Sequence, residues 1–332
     1  MTSGNMITVV VCTYTRANYL RRALESLVRQ ETPDFTYEVV VVDDESTDDT
    51  PAVVAEADAH APIPVRYVLQ PGREGLAHVR NRGVAEMQGD WLAFFDDDQL
   101  AEPGWLRQLL QVARDHDARL VGGPRRLHLP EETMAQLGPV SRSLLGENLY
   151  TGPPTVLNGK ELPTTGNLLI GREVIDNVGA FDPKFSGNED TEFLQRARAA
   201  GYAIWTAPEA MCAHLIPQYR TETAYFRWTS LRWGYGFAGI DWKNHGTMKM
   251  LAYAAARLAQ AAIITVPRWI AARLQGGAAE ALDRKLLLWR AQGYARTAFW
   301  LAAPRLFPQR RFINLMDFGK ERELFPTQEP AL

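Results

Sequence analysis

The first hundred residues alternate short apolar runs with helix-length segments, and this rhythm constrains the fold more than any other feature of the chain. Residues 7–13 (ITVVVCT), 38–42 (EVVVV), 65–69 and 91–95 are rich in β-branched and aromatic residues, as strands are. Between them, residues 19–30 carry Leu20, Ala23, Leu24 and Leu27 at helical spacing. A second helix starts near Pro51, where proline suits a first turn, and a third covers residues 76–87. Continuously apolar strands separated by helices predict an α/β fold whose mostly parallel central sheet is covered by helices on both faces. Such sheets bind ligands outside the carboxyl ends of their strands. The residues just after each strand are therefore the ones that bear on function.

Three of those ends share a chemical theme. The first strand runs into Cys12-Thr13-Tyr14-Thr15-Arg16, the second into Asp43-Asp44-Glu45, and the fourth into Asp96-Asp97-Asp98. Asp43-Asp44 alone reads first as a helix-capping turn. A triple aspartate directly after an apolar strand is harder to explain structurally. Carboxylates at neighbouring strand ends repel unless a cation or a hydroxyl-rich ligand lies among them. Magnesium or manganese, bound through one or two carboxylates plus phosphate oxygens, resolves that conflict.

Beyond residue 100 the pattern loosens. A helix is expected over 103–116, a strand over 120–123, a loop-rich stretch over 130–163 and a strand over 167–170. Helices over 172–178 and 190–200 and a strand over 203–206 follow. The charge divides with the texture: residues 1–214 carry 19 Lys and Arg against 31 Asp and Glu, and residues 215–332 carry 17 against 8. An acidic body with a basic tail implies two surfaces with different partners. The two cysteines, Cys12 and Cys212, lie in apolar strand-like runs and read as packing thiols in a reducing compartment. No signal peptide is expected, because residues 6–13 form a strand pattern without a cationic flank or cleavage site.

Six motifs over residues 7–217 carry a resemblance: VVVCTYTRANYL, EVVVVDDESTD, GLAHVRNRGV, WLAFFDDDQLAEPGWL, TTGNLLIGREVIDNVGAFD and GNEDTEFLQRARAAGY. Together they resemble the family 2 glycosyltransferases of GT-A fold. RNRG, FFDDDQ, EPGWL and NEDTEF are similar to bacterial exopolysaccharide enzymes of the succinoglycan β-1,4-glucosyltransferase type. The resemblance implies a GT-A catalytic domain over 1–217, with a nucleotide-binding half (1–98) and an acceptor half (99–217). A basic, aromatic-rich helical region (218–332) follows it.

The same resemblance implies roles for individual residues. Thr13 and Arg16 match positions lining the base pocket, and Asp43 and Asp44 match a pair that binds base or ribose. Arg80 and Asn81 match the segment closing over base and phosphates. Asp96 matches a ribose ligand and Asp98 the metal ligand, with Asp97 between them in the donor site. Gly166 and Asn167 match the floor of the sugar pocket. Asp190 matches the catalytic base, with capping of the helix that follows as the alternative, and Glu189 beside it matches an acceptor-binding or supporting group rather than the base. His214 matches a position often given to a metal or diphosphate contact, and otherwise reads as a core histidine. Trp105 is read as core, with sugar stacking as the alternative. A carboxylate base is needed because a hydroxyl is a poor nucleophile, and such a base contributes about 10²–10⁴-fold. The departing nucleoside diphosphate needs a metal or other cations.

The tail has amphipathic helical spacing over 247–275 and again over 282–301, with Arg and Lys interleaved with Trp and Leu. Its longest uncharged run, residues 258–267, is half of what a spanning helix needs. Attachment to an anionic membrane surface is expected, with packing on the body or on a second subunit as the alternative. Nucleic-acid binding is not expected. Processive synthases of the family carry Q-x-x-R-W. Here Ala224 stands three residues before Arg227-Trp228, which points to addition of a single sugar. The expected function is an inverting, metal-dependent transfer from a nucleotide-sugar, a UDP-sugar by resemblance, to a lipid-linked or growing glycan. The expected location is cytoplasmic, on the inner face of the membrane. A sugar-phosphate nucleotidyltransferase lacks support because TYTRANY is not a glycine-rich basic loop, and no G-x-G-x-x-G marks an oxidoreductase. A non-catalytic binding protein of the same fold is the remaining alternative.

Overall fold

The structure, a computed structural model, describes residues 6–158, 162–184, 189–316 and Leu324. The chain forms two compact units: residues 1–128 with 147–215, and residues 129–146 with 216–332.

The first unit opens with β1 (Met6–Thr13), α1 (Ala17–Leu27), β2 (Thr36–Asp43), α2 (Thr50–His60), β3 (Val65–Leu69), α3 (Leu76–Ala85) and β4 (Trp91–Asp96). These are the alternating elements expected from the sequence. After them come β5 (Gln99–Ala101), α4 (Trp105–Asp115), β6 (Leu120–Gly122) and β7 (Arg125–His128). The chain then passes through the second unit's α5 (Glu131–Ala135) and α6 (Pro139–Leu144). It returns for β8 (Asn167–Gly171), α7 (Arg172–Val178), α8 (Glu189–Ala199), β9 (Ile204–Thr206) and β10 (Cys212–Leu215). Seven strands form one sheet in the order β3-β2-β1-β4-β8-β6-β9, and β5-β10-β7 form a second. In the large sheet only β8 runs against its neighbours β4 and β6.

The burial explains the order. Val9, Val10 and Val11 of β1 and Val39 to Val42 of β2 are fully buried, so both faces of these central strands are covered. One face packs on α1, α2 and α4 through Leu20, Leu24, Val53, Leu106 and Leu109. The other meets Val79 of α3 and Phe193 and Leu194 of α8. Continuously apolar strands are the sequence form of a sheet buried on both sides.

The second unit is helical. Besides α5 and α6 it contains α9 (Thr223–Gln260), a π turn at Ala261–Thr265, α10 (Val266–Leu274), α11 (Ala278–Ala302) and α12 (Arg310–Leu315). Gly246 breaks α9 with a φ of 75°, a value glycine tolerates, so the helix expected over 247–275 has a structural start. α9 and α11 approach closely where glycines face backbone: a Cβ on Gly234 would lie 2.1 Å from the Arg290 carbonyl oxygen. On Gly293 it would lie 2.2 Å from that of Leu231. The Asp283 carboxylate, buried on α11, accepts hydrogen bonds from the Val140 and Ser141 N–H groups at 2.9 and 2.8 Å. It thereby satisfies orphan donors at the start of α6. The stretch expected to be loop-rich thus holds two short helices that belong to the helical unit, each too brief to show a period.

Candidate active site

The parallel register brings three strand ends together. Thr13 lies opposite Asp43, and Cys12 opposite Asp96, so the TYTR, DDE and DDD segments leave the sheet side by side. The Asp44 N–H donates to the Thr13 carbonyl at 3.0 Å, extending the β1–β2 contact one residue beyond the strand.

The triple aspartate is held by two arginines and two neutral donors. Asp97, almost fully buried, accepts from the Thr13 hydroxyl at 2.8 Å and from the Arg16 guanidinium at 2.7 Å. The same Arg16 nitrogen donates to Asp98 at 2.9 Å. Asp96 accepts from Gln99 at 3.1 Å and more distantly from Arg125 at 3.4 Å. Part of the charge compensation that the sequence called for therefore comes from the chain itself. Burial raises the pKa of Asp97, and the neighbouring Asp98 charge adds to that against the pull of Arg16. Asp96 is raised in the same way by desolvation and by Asp98.

His214, on β10, brings Nε2 to 3.5 Å from Asp98 Oδ2. Among the described residues no group of three His, Cys, Asp or Glu side chains surrounds one ion position. Asp98 and His214 offer two donors of the kinds manganese accepts, and magnesium favours the carboxylate. With diphosphate oxygens and water completing the shell, this donor set fits a divalent ion.

Gly166 sits against the same cluster. A Cβ there would lie 2.0 Å from Asp96 Oδ2, so only glycine allows this approach. Its neighbour Asn167 faces inward. Asn167 accepts from the Trp105 indole N–H at 2.7 Å and donates to the Pro124 and Ala210 carbonyls at 2.9 and 2.8 Å. Its amide is thus occupied in fixing the end of β8. Trp105 is fully buried and meets Phe95 edge to face, which is the core role.

Asp43 is also spent locally, accepting from the Ser46 N–H at 3.0 Å, from the Ser46 hydroxyl and from Tyr67 at 2.7 Å. Asn81 clamps the Phe181 backbone through both halves of its amide, at 2.8 and 2.9 Å. That position secures α3 to the segment leading towards α8.

A second charged pair, Arg80 with Glu189, is buried between α3 and the first turn of α8. Glu189 Oε2 is buried with no hydrogen-bond partner among the described residues. The adjacent Asp190 is partly exposed, and its Oδ1 accepts from the Thr191 N–H at 2.6 Å. Asn188 of the NEDTEF motif and the preceding Gly187 lie outside the described residues. Gln99 and Arg125 escaped the sequence reading. Gln99 follows the triple aspartate directly, which was its signal, whereas Arg125 lies in a four-residue strand with none.

Burial pushes the Cys12 and Cys212 thiols up to about 12. The Cys212 thiol donates to Gln99 at 3.0 Å. Cys212 is fully buried and Cys12 partly so, and both pack among the strand ends.

Comparison with known proteins agrees with this architecture. The family model for glycosyl transferase family 2 matches residues 8–162. The succinoglycan biosynthesis protein ExoM of Rhizobium meliloti is 30% identical over 226 residues, covering 66% of this chain and 70% of that protein. Among solved structures, the mannosyltransferase PcManGT from Pyrobaculum calidifontis, in complex with GDP-Man and Mn2+, superposes with a TM-score of 0.56 at 23% identity. That match covers 88% of each chain. TarS 1–349 of S. aureus in complex with UDP gives 0.50 at 16% identity, over 90% of this chain and 92% of that one. The sheet order, the helices on both its faces and these neighbours make the first unit a GT-A fold. The chain belongs to glycosyl transferase family 2 and is a glycosyltransferase.

Proposed function

We propose that this enzyme transfers one sugar, with inversion, from a nucleotide-diphosphate donor of the UDP-sugar type to a hydroxyl of a lipid-linked or growing glycan. The setting is exopolysaccharide or cell-surface glycan synthesis at the cytoplasmic face of a membrane. The carrying observation is that Asp96, Asp97 and Asp98 converge with Thr13 and Arg16 at adjacent strand ends, while a separate acidic pair opens α8. ExoM, a biosynthesis protein for an exopolysaccharide, supports the setting. The GDP-Man and Mn2+ of PcManGT and the UDP of TarS support a nucleotide donor and a metal.

In this reading Thr13, Arg16 and Asp44 border the nucleoside, Asp43 holds the turn that presents Asp44, Asp96 takes the ribose and Gly166 allows the backbone to approach it. Arg80 and Arg16 add positive charge near the diphosphate. Asp98, with His214, would hold a magnesium or manganese ion, which would supply positive charge for the leaving diphosphate. Asp190 takes the proton from the attacking acceptor hydroxyl as its oxygen bonds to the anomeric carbon and the bond to the diphosphate breaks. Glu189 is tied to Arg80, so it is not the base. Through Arg80 it fixes the first turn of α8 beside Asp190 and so positions the base.

The test is release of nucleoside diphosphate from a panel of UDP- and GDP-sugars in the presence of manganese and an acceptor extract. Asp190→Asn should lower turnover by about 10²–10⁴-fold while leaving donor affinity intact. Equal loss of donor affinity would remove Asp190 from the role of base.

A further inference from the structure

We propose that one face of the helix running from Met248 to Leu274 lies in the plane of an anionic bilayer, its apolar residues among the acyl chains and its cations at the lipid phosphates. The proposal rests on the reading that the enzyme works at a membrane, and it names the surface, the orientation and the lipid charge.

The face is visible in the exposure pattern. Met248, Ala252, Ala255, Ala259, Ile263, Pro267, Ile270 and Leu274 recur every three or four residues and are all exposed. Met248, Ile263 and Leu274 are 80%, 73% and 82% exposed. None is charged, and at 1.5 Å per residue the stripe is about 40 Å long. The reverse face is built differently: Met250 and Ala254 pack into a small core with Tyr294 and Ala298 of α11, and Thr265 and Ala272 are buried. A continuous exposed apolar stripe of this length is unusual for a surface facing water and marks an interaction surface.

Charge selects the partner. Residues 242–316 contain twelve Lys and Arg and only two acids, Glu280 and Asp283. Asp283 is buried, and Glu280 is paired with Arg284. Lys249 and Arg268 make no ion pair among the described residues. A second copy of the same face would set like charge against like charge, whereas a surface of lipid phosphates neutralises it.

At the end of the stripe, the turn between α10 and α11 borders a shallow, open hollow of about 370 Å³. Trp269, Arg273, Leu282 and Lys285 line it, and no carboxylate does. Arg273 stands over the Trp269 ring and Lys285 over that of Trp289, arrangements that leave their charges available to an anion. An apolar floor with two cations at its rim suits a phospholipid headgroup.

The 52-residue helical stretch Thr223–Leu274 is long and apolar enough to cross a membrane by length and composition. An orientation in the plane accounts better for Arg257 and Arg268 within it and for the reverse face packed on a cationic helix.

The experiment is co-sedimentation of the full chain with phosphatidylcholine vesicles and with vesicles also containing phosphatidylglycerol. Binding is expected only to the anionic vesicles, weakening as salt rises. Ile263→Glu with Leu274→Glu should reduce it about tenfold or more. Arg268→Gln with Arg273→Gln should reduce it by about fivefold per cation. Each residue is exposed, so the melting temperature of both variants should stay that of the parent. An alkaline carbonate wash should release the bound protein. Equal binding to neutral vesicles, no binding to either, or full binding by the glutamate pair would overturn the proposal. So would retention through the carbonate wash, which means a spanning helix, or a dimer in ultracentrifugation that the glutamate pair dissociates. Nucleotide-induced stabilisation, measured on the same preparations, reports on the transferase site separately, so failure of either reading is recognised without the other.

Discussion

Arg80 and Glu189 carry opposite charges out of water into a site where the second Glu189 oxygen has no partner among the described residues. Removing one member of such a buried pair strands the other, at a cost of about 3–5 kcal/mol. Arg80→Met should therefore lower unfolding free energy by that amount in urea titration, whereas Asp190→Asn, on a partly exposed carboxylate, should leave it nearly unchanged. If both variants melt like the parent, Glu189 is solvated in solution and its role in positioning Asp190 needs revision. The thiols give a second check at this scale. With both pushed up to about 12, neither Cys12 nor Cys212 is ionised at pH 8. A disulfide reagent at that pH should react slowly with the partly buried Cys12, not at all with Cys212 in the native protein, and with both on unfolding; rapid native labelling of Cys212 would mean that the strand ends open in solution. The aspartates, Arg16 and Asp190 could be placed from sequence because each directly follows an apolar strand or opens a helix. The orientations of Asn81 and Asn167 could not, since which neighbour satisfies an amide depends on partners up to 100 residues away.

Among elements, the close passage of α9 over α11 depends on glycines. Gly234→Leu would drive a side chain into the Arg290 carbonyl, and overpacking of this kind costs about 1–3 kcal/mol. The expected result is an earlier loss of helical signal on heating, and a melt unchanged from the parent would show that the helices separate freely. Asp283→Ala should act in the same direction by leaving two N–H groups of α6 without their acceptor. Elements with long or strongly apolar signals were legible: β1, β2, β3 and β4 fall within two residues of their expected bounds. The strands β5 and β7 were not, because three or four residues such as RRLH show no usable alternation. They matter nonetheless, since β5 and β7 flank β10 and so set His214 and Arg125 beside the aspartates.

For the molecule as a whole, the division between an acidic body and a basic tail corresponds closely to the two compact units, which part near residue 215. The segment 129–146 departs from that simple division, and only tertiary contacts such as Asp283 with α6 reveal where it belongs. The central claim concerns the acidic unit: its aspartate cluster binds a nucleoside diphosphate together with a divalent ion. The most direct test is the thermal stability of the purified chain with UDP, GDP, dTDP and CDP, each with and without manganese, in the parent and in Asp98→Asn. A ligand at a hundred times its dissociation constant stabilises the native state by about 2.7 kcal/mol, enough to raise the midpoint by several degrees. The account predicts that one nucleoside diphosphate produces this rise only when manganese is present, and that Asp98→Asn abolishes it. A rise indifferent to both manganese and Asp98, or no rise with any nucleotide, would contradict it.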